Sequence, residues 1–228
     1  MDNIPLRDRL EALLKSRGER KVLLEHEVKD FLSKLGITVP KGLLVDATGH
    51  LPLEQCIPFP AVAKVVSSGI VSRSDVGGVR LGIRNRGELK KVVDDLLRLK
   101  GAEGVIVEEM VPSGIEVIVG GIIDLEFGPI AMFGLGGLFV ELFRDVSFAL
   151  APVTAEQATW LVNDTKGGRI LRGFRGMPPV DLDSLLKIIV TVSELIGTGL
   201  LQEIDLNPVA LYPTGAVVLD AKMKTLQP

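Results

Sequence analysis

Apolar positions along this chain recur with two different periods, and the switches between them mark out its elements. Leucines at helical spacing among alternating charges predict a first helix over Leu6 to Arg17. A second runs from Glu25 to Leu35, with Val28, Phe31, Leu32 and Leu35 on one face and Gly36 as its stop. Short apolar runs at Gly42 to Val45 and Ala61 to Val66 read as strands. Helical spacing returns from about Gly87 to Lys100, where Leu89, Val92, Val93, Leu96 and Leu97 form the buried stripe before Gly101. Four strand candidates follow, at Val105 to Glu109, Glu116 to Ile123, Pro129 to Phe133 and Phe139 to Phe143. Thr154-Ala155-Glu156-Gln157 is a capping box opening a helix to about Asp164, and Leu182 to Ile196 is the last helix. The chain closes with two strands, Glu203 to Val209 and Val217 to Lys222, around a turn at Tyr212-Pro213-Thr214-Gly215.

Strands and helices that are mixed rather than strictly alternating predict α+β lobes instead of a doubly wound sheet. The division falls near Val107, where the fourth strand is expected to leave the first sheet. That gives an N-terminal helical extension over 1–20, a first lobe over 21–107 and a second over 108–228. With 228 residues, 46% hydrophobic and 24% charged, the chain has the material for a true core. A net charge of −3, 4% aromatic residues and no basic cluster argue against nucleic acid as a partner. Cys56 is the single cysteine, so neither a disulfide framework nor a Cys-rich zinc site is available, and a reducing cytoplasm fits. The longest uncharged stretch, Phe127 to Val140, is too short and too glycine-rich to span a membrane, and no secretory signal precedes the first helix.

Chemistry enters with the closing hairpin. If Tyr212 to Gly215 form the loop, Leu211 faces Ala216 and the pairing runs back to set Asn207 opposite Asp220. A carboxylate and an amide oxygen one cross-strand pair apart suit Mg²⁺, which takes its remaining ligands from water and substrate phosphates. A solvated hairpin face would carry the same two residues. Lys64 is a lone cation inside the apolar run Ala61-Val62-Ala63-Lys64-Val65-Val66, and a buried lysine asks for an anion. The loop after it ends in Gly77-Gly78, which lets backbone N–H groups approach phosphate oxygens. An edge-strand lysine that blunts aggregation is the alternative. Further on, the strand Val105-Ile106-Val107 runs into Glu108, Glu109, Met110, Val111 and Pro112, with Glu116 eight residues after Glu108. A strand stopping at a hinge can offer backbone groups to an adenine edge, and a carboxylate can accept both ribose hydroxyls. Plain surface charge would read the same way. No P-loop is present, and Gly134-Leu135-Gly136-Gly137 does not complete a dinucleotide fingerprint.

Taken in order, the Lys64 strand, Ser74-Asp75-Val76-Gly77-Gly78-Val79, Glu108-Glu109-Met110-Val111, Phe127-Gly128-Pro129, Gly134-Leu135-Gly136-Gly137, Asp145-Val146-Ser147-Phe148, Leu171-Arg172-Gly173-Phe174-Arg175-Gly176 and the closing hairpin resemble the ATP-grasp module of ADP-forming acyl-CoA synthetase β subunits, relatives of the succinyl-CoA synthetase β subunit. The resemblance implies an α+β ATP-grasp fold of two lobes that hold ATP or ADP between them. By motif position it implies Lys64, Gly77 and Gly78 at the nucleotide phosphates, Glu108 with the Met110 and Val111 backbone at adenine, Glu116 at ribose, and Asn207 and Asp220 at Mg²⁺. It also implies a ligase subunit active only with a CoA-binding α subunit that carries a phosphohistidine, in an α₂β₂ assembly.

At one position the sequence departs from that family. Where the family has a shuttling histidine before Lys-Ser-Asp, this chain reads Ser72-Arg73-Ser74-Asp75, and its two histidines, His26 and His50, lie elsewhere. A phosphoserine ester at Ser72 is too poor a donor to replace phosphohistidine in making ATP. Either the partner's histidine reaches the nucleotide directly, or the chain is a nucleotide-sensing or structural subunit that has lost the relay. A different ATP-grasp ligase, with Arg172 and Arg175 as its only candidate anion site, is the third alternative.

Overall fold

A computed structural model describes residues 4–16, 18, 20–50, 57–70, 73, 75–136 and 145–226. The chain forms two compact units, each built on an antiparallel sheet backed by helices.

The smaller unit comprises residues 24–26 and 40–112. Its strands are β1 (Gly42–Asp46), β2 (Ala61–Val66), β3 (Val79–Ile83) and β4 (Gly104–Glu109), in the order β1-β4-β2-β3. Helix α3 (Arg86–Leu97) starts where the Asn85 side chain accepts the Glu88 N–H, and it lays Leu89, Val93 and Leu96 against Ala61, Ala63, Val105 and Val107 of the sheet. Because side chains alternate along a strand, Val62, Lys64 and Val66 of β2 and Ile106 and Glu108 of β4 point to the opposite face. All five of these are buried too.

β4 does not leave this sheet near Val107, as the sequence suggested. It is an inner strand, paired to β1 from Gly42↔Glu108 to Asp46↔Gly104 and to β2 from Ala61↔Glu109 to Val66↔Gly104. A boundary at 107/108 would cut through that ladder, and the unit continues to Pro112. β3 was not anticipated either. It is a short edge strand, Val79-Arg80-Leu81-Gly82-Ile83, whose sequence alternates but whose burial does not follow, with Leu81 68% exposed and Gly82 at φ +71°.

The larger unit takes residues 1–23, 27–39 and 113–228. Its strands are β5 (Ile115–Asp124), β6 (Gly128–Leu135), β7 (Val146–Leu150), β8 (Leu201–Leu211), β9 (Ala216–Val218) and β10 (Ala221–Thr225). They are ordered β10-β8-β5-β6-β7, with β9 also paired to β8. Helices α1 (Leu6–Ser16), α2 (Glu25–Lys34), α4 (Ala155–Asp164), α5 (Gly168–Leu171) and α6 (Leu182–Gly197) complete the fold. α6 buries Leu185, Ile188, Ile189, Val192, Leu195 and Ile196 in the core that also takes Val117, Val119, Ala131 and Phe133 of β5 and β6. Gly121 allows close approach there, since a Cβ on it would stand 3.1 Å from Ile196 Cγ2. The capping box of α4 is complete, with Thr154 Oγ1 accepting the Gln157 N–H at 3.2 Å and Gln157 Oε1 accepting the Thr154 N–H at 2.8 Å.

The units are therefore not the contiguous segments 21–107 and 108–228. From residue 27 onward α2 belongs with the larger unit, because Val28, Phe31 and Leu32 are buried in its core. The segment after α2 is tied there as well: Val218 N–H donates to the Thr38 carbonyl at 2.9 Å and Lys187 Nζ donates to the Gly36 carbonyl at 2.8 Å. The strand expected over 139–143 lies outside the described residues. β7, which begins three residues after its end, is the neighbour of β6 and was seen in the sequence only as a motif. Among the described residues no helix is long and apolar enough to cross a membrane.

Candidate functional site

Lys64 is held on the inward side of β2 between two carboxylates. Its Nζ lies 2.8 Å from Glu25 Oε1 and 3.0 Å from Glu108 Oε2, and all three residues are buried. Glu108 arrives there because it sits on the same sheet face, diagonal to Lys64 in the β2/β4 register. Room for its arm is made by Gly42 opposite, where any Cβ would come within 2.8 Å of Glu108 Cγ. The other oxygen of Glu25 accepts from Arg73 Nη1. Among the described residues two buried acids thus hold the buried Lys64 and the half-buried Arg73 in one linked group.

Glu108, expected at adenine, has its carboxylate engaged by Lys64. The Met110 N–H is also spent, on the Pro60 carbonyl at 3.0 Å, and the Glu109 N–H donates to the Lys41 carbonyl at 2.9 Å. Val111 remains as the expected backbone position at the end of the hinge, and the Met110 side chain is 41% exposed.

Gly77 and Gly78, expected at the nucleotide phosphates, close the loop after β2. The Gly78 N–H donates to the Arg73 carbonyl at 2.7 Å, and the Gly78 carbonyl accepts the Val65 N–H at 2.8 Å. A side chain at Gly78 would collide with Val65 Cγ1 at 2.6 Å, so glycine is what lets the loop zip onto β2 beside Lys64. Gly77 supplies the left-handed turn at φ +64°, and its carbonyl accepts from Arg80 Nη1. Ser72 lies outside the described residues.

In the larger unit the closing hairpin has the register expected from its turn. Leu211 faces Ala216, Ala210 faces Val217 and Val209 faces Val218, and the Tyr212 N–H donates to the Gly215 carbonyl at 3.1 Å. Continuing back, the Asn207 N–H donates to the Asp220 carbonyl at 3.2 Å, so these two residues do stand opposite each other. Beyond them Lys222 faces Asp205 and Lys224 faces Glu203. Lys29, only 4% exposed, donates from Nζ to the Leu219 carbonyl at 2.8 Å and pins the strand just before Asp220. Glu116 is exposed at the start of β5, opposite Ala210. Its charge, after burial, is a cause of the raised pKa of the Tyr212 hydroxyl.

Beside the hairpin, β5, β6, β7 and β8 form a cavity of about 260 Å³ on the sheet face away from α6. Ile118, Ile130, Met132 and Phe148 give it apolar walls, while Glu203, Asp205 and Asn207 line it from β8. Asp205 was not singled out in the sequence. Burial, and then the negative charges of Glu203 and Asp220, push its carboxyl up to about 6 against the opposing pull of Lys222. Of these causes, burial disfavours any charge, and only the negative charges of Glu203 and Asp220 would favour a cation. Among the described residues no three His, Cys, Asp or Glu side chains converge as a ready-made metal cage. An ion that needs few protein ligands and completes its shell from water and phosphate, as Mg²⁺ does, is the kind for which Asn207 and Asp220 were expected.

Comparison with known proteins places this geometry in a family. A family model for an ATP-grasp domain matches residues 14–225. The β subunit of acetate–CoA ligase (ADP-forming) I from Pyrococcus furiosus is 39% identical over 222 residues, covering 93% of this chain and 96% of that protein. Acetate–CoA ligase (ADP-forming) II from Archaeoglobus fulgidus is 40% identical over 203 residues, which are 89% of this chain but 30% of that longer protein. Among solved structures, the dinucleotide forming acetyl-coenzyme A synthetase 1 of Candidatus Korarchaeum cryptofilum in complex with coenzyme A, Ca-AMPCP and HgCl⁺ superposes with a TM-score of 0.86 at 39% identity, covering 97% of this chain and 100% of that one. A second structure of that enzyme, with coenzyme A and Mg-AMPPCP and its phosphohistidine segment pointing towards the nucleotide-binding site, gives a TM-score of 0.80. Likeness over nearly the full length identifies this chain as a member of the ATP-grasp family, homologous to the β subunits of ADP-forming acetyl-CoA synthetases.

Proposed function

We propose that this chain is the nucleotide-binding subunit of an ADP-forming acyl-CoA ligase, passing a phosphoryl group between a phosphohistidine on a CoA-binding partner subunit and ADP. The observation that carries it is the hairpin: Asn207 and Asp220 meet across two strands at the edge of an acid-lined cavity, a donor set for a cation that shares its shell with phosphates. Mg²⁺ bound there would neutralise phosphate oxygens during in-line transfer. Lys64 would bind nucleotide phosphates, and Glu108 keeps its ammonium in place. Glu116 is exposed and can accept the ribose hydroxyls, while Val111 offers backbone to adenine.

In the ATP-forming direction the P–N bond of the partner's phosphohistidine breaks as a terminal oxygen of ADP bonds to phosphorus. The released imidazole nitrogen then takes a proton from solvent. With Ser72 where the family resemblance implies a histidine, no second P–N intermediate forms on this chain's loop, and transfer is direct. His26 does not stand in for it, since its Nδ1 is enclosed and has no hydrogen-bond partner among the described residues. The assembly expected from the family resemblance is α₂β₂. The same serine favours a second reading, a subunit that binds nucleotide without transferring phosphate.

Two measurements test this. Calorimetry on the isolated chain should find Mg²⁺-dependent ADP binding that Asp220→Ala weakens, and equal affinity in that variant would remove the hairpin metal site. With the partner present, acid-labile ³²P should label the partner's histidine and chase into ATP while this chain stays unlabelled, with or without Ser72→Ala. Label retained on the partner that never reaches ATP would favour the non-transferring subunit.

A further inference from the structure

One buried acid has no task in that chemistry. Glu25 is the first residue of α2, where an acid is ordinarily explained by the helix dipole. The dipole accounts for its sign but not for its burial. At 6% exposure it is as enclosed as a core residue, and carboxylates are rarely so unless paired. Its two oxygens go to two different cations: Oε1 to Lys64 Nζ at 2.8 Å and Oε2 to Arg73 Nη1.

Neutralising Lys64 does not require this. Glu108, 3.0 Å away, already supplies one negative charge. The second carboxylate changes geometry. A lysine on a four-carbon stem has many rotamers, whereas an ammonium gripped from two sides has one position. On its far oxygen Glu25 takes up Arg73, the residue whose carbonyl accepts the Gly78 N–H and so closes the loop onto β2 next to Lys64. Strand and loop are thereby tied to one acid, which their two cations share.

We infer that Glu25 is a positioning residue for phosphate binding, holding the Lys64 ammonium and the Arg73 guanidinium together at the place where nucleotide phosphates arrive. This rests on the reading of Lys64 as the phosphate-binding lysine. The inference makes a prediction of sign. Were Glu25 present only as a charge, its removal would strip a negative group from beside a polyanion and tighten binding. As a positioning residue its removal loosens binding, although the site becomes more positive.

The experiment is calorimetry of Mg-ATP on the full chain as wild type, Glu25→Gln, Glu25→Asp, Lys64→Ala and Glu25→Gln/Lys64→Ala, with melting temperatures recorded for each. Glu25→Gln should weaken binding about tenfold, the scale of one charge-assisted contact, and Glu25→Asp, which keeps the charge on a shorter arm, by less. In the Lys64→Ala background the loss from Glu25→Gln should shrink to about threefold or below, the remainder acting through Arg73. A merely structural acid would give the same loss in both backgrounds. That result, or unchanged or tighter binding in a folded Glu25→Gln, overturns the inference. Glu25→Asp preserves the test if Glu25→Gln melts below the assay temperature, and binding by it as tight as wild type overturns the inference as well. Failure of the wild type to bind Mg-ATP would instead sink the proposed function.

Discussion

Lys64→Met should destabilise the protein before any ligand is considered. Methionine keeps the length and the apolar stem of lysine, so the change removes little but the charge. What it leaves is Glu25 and Glu108, each with a side chain 4% exposed, facing the place where the ammonium stood. At an effective dielectric of 20, contacts of 2.8 and 3.0 Å are each worth roughly 6 kcal/mol of gross attraction, much of it offset by the desolvation of both partners. The loss on removing one partner is larger than the net worth of the pair, because the orphaned charge stays buried. Such truncations cost about 3–5 kcal/mol, a large share of the 5–15 kcal/mol that typically holds a folded domain together.

The choice of probe matters here. Trp160 is the only tryptophan and lies on α4 in the larger unit, so its fluorescence is a poor report on the Lys64 group. Urea unfolding followed by far-UV circular dichroism, with hydrogen exchange of the β2 and β4 amides, addresses the right sheet. Adding Glu108→Gln to Lys64→Met should return more than half of the lost stability, since a neutral amide at that position no longer needs a counter-charge. A loss below about 1 kcal/mol for Lys64→Met, or no recovery in the double variant, would refute the account of a tightly enclosed charge group.

Other expectations are equally direct. Gly78→Ala should cost about 1–3 kcal/mol, because its Cβ would press on Val65 Cγ1 at 2.6 Å and on the Arg73 carbonyl at 3.1 Å. Gly69→Ala, which meets only Ser67 Oγ at 3.9 Å, is the control and should stay within about 0.5 kcal/mol in a urea titration. Asp181 caps α6 by accepting from the Ser184 N–H and hydroxyl, and it also accepts the Gly215 N–H that steadies the hairpin turn. The Ser184 backbone bond first, then the others, hold its carboxyl below 3.8, so its contribution is present above that pH and fades as the pH falls through the folded value. The melting-temperature gap between wild type and Asp181→Ala should therefore be wide at pH 7 and narrow towards pH 3, and a constant gap would show that the carboxylate charge plays no part.

Most elements were legible because local pattern and tertiary burial agree. The stripe on α6 is apolar because that face is core, and the α4 cap was written in four consecutive residues. The two missed strands fail that agreement. β3 alternates over only five residues around a positive-φ glycine, and its central Leu81 faces outward. β7 turns Phe148 and Leu150 outward, 53% and 63% exposed, so the alternation that should mark its inner face is blurred. The lobe boundary was misplaced because a strand running into acids looks like a strand that ends, whereas β4 is gripped on both sides up to Glu109.

The site divides along the same line between local and long-range information. Asn207 and Asp220 were paired correctly from the sequence because a hairpin carries its own arithmetic: one turn fixes every partner before it. Glu108 had no such guide. Its carboxylate meets Lys64 because β4 inserts between β1 and β2, a topology that no window of sequence contains, and Glu25 reaches the same ammonium from 39 residues upstream. Both acids could be seen as a type without being assigned a partner. A lone lysine in an apolar strand already implies buried negative charge nearby, and that inference is sound from sequence alone. Which carboxylates answer it, and whether they grip the lysine or merely neutralise it, is a property of strand order.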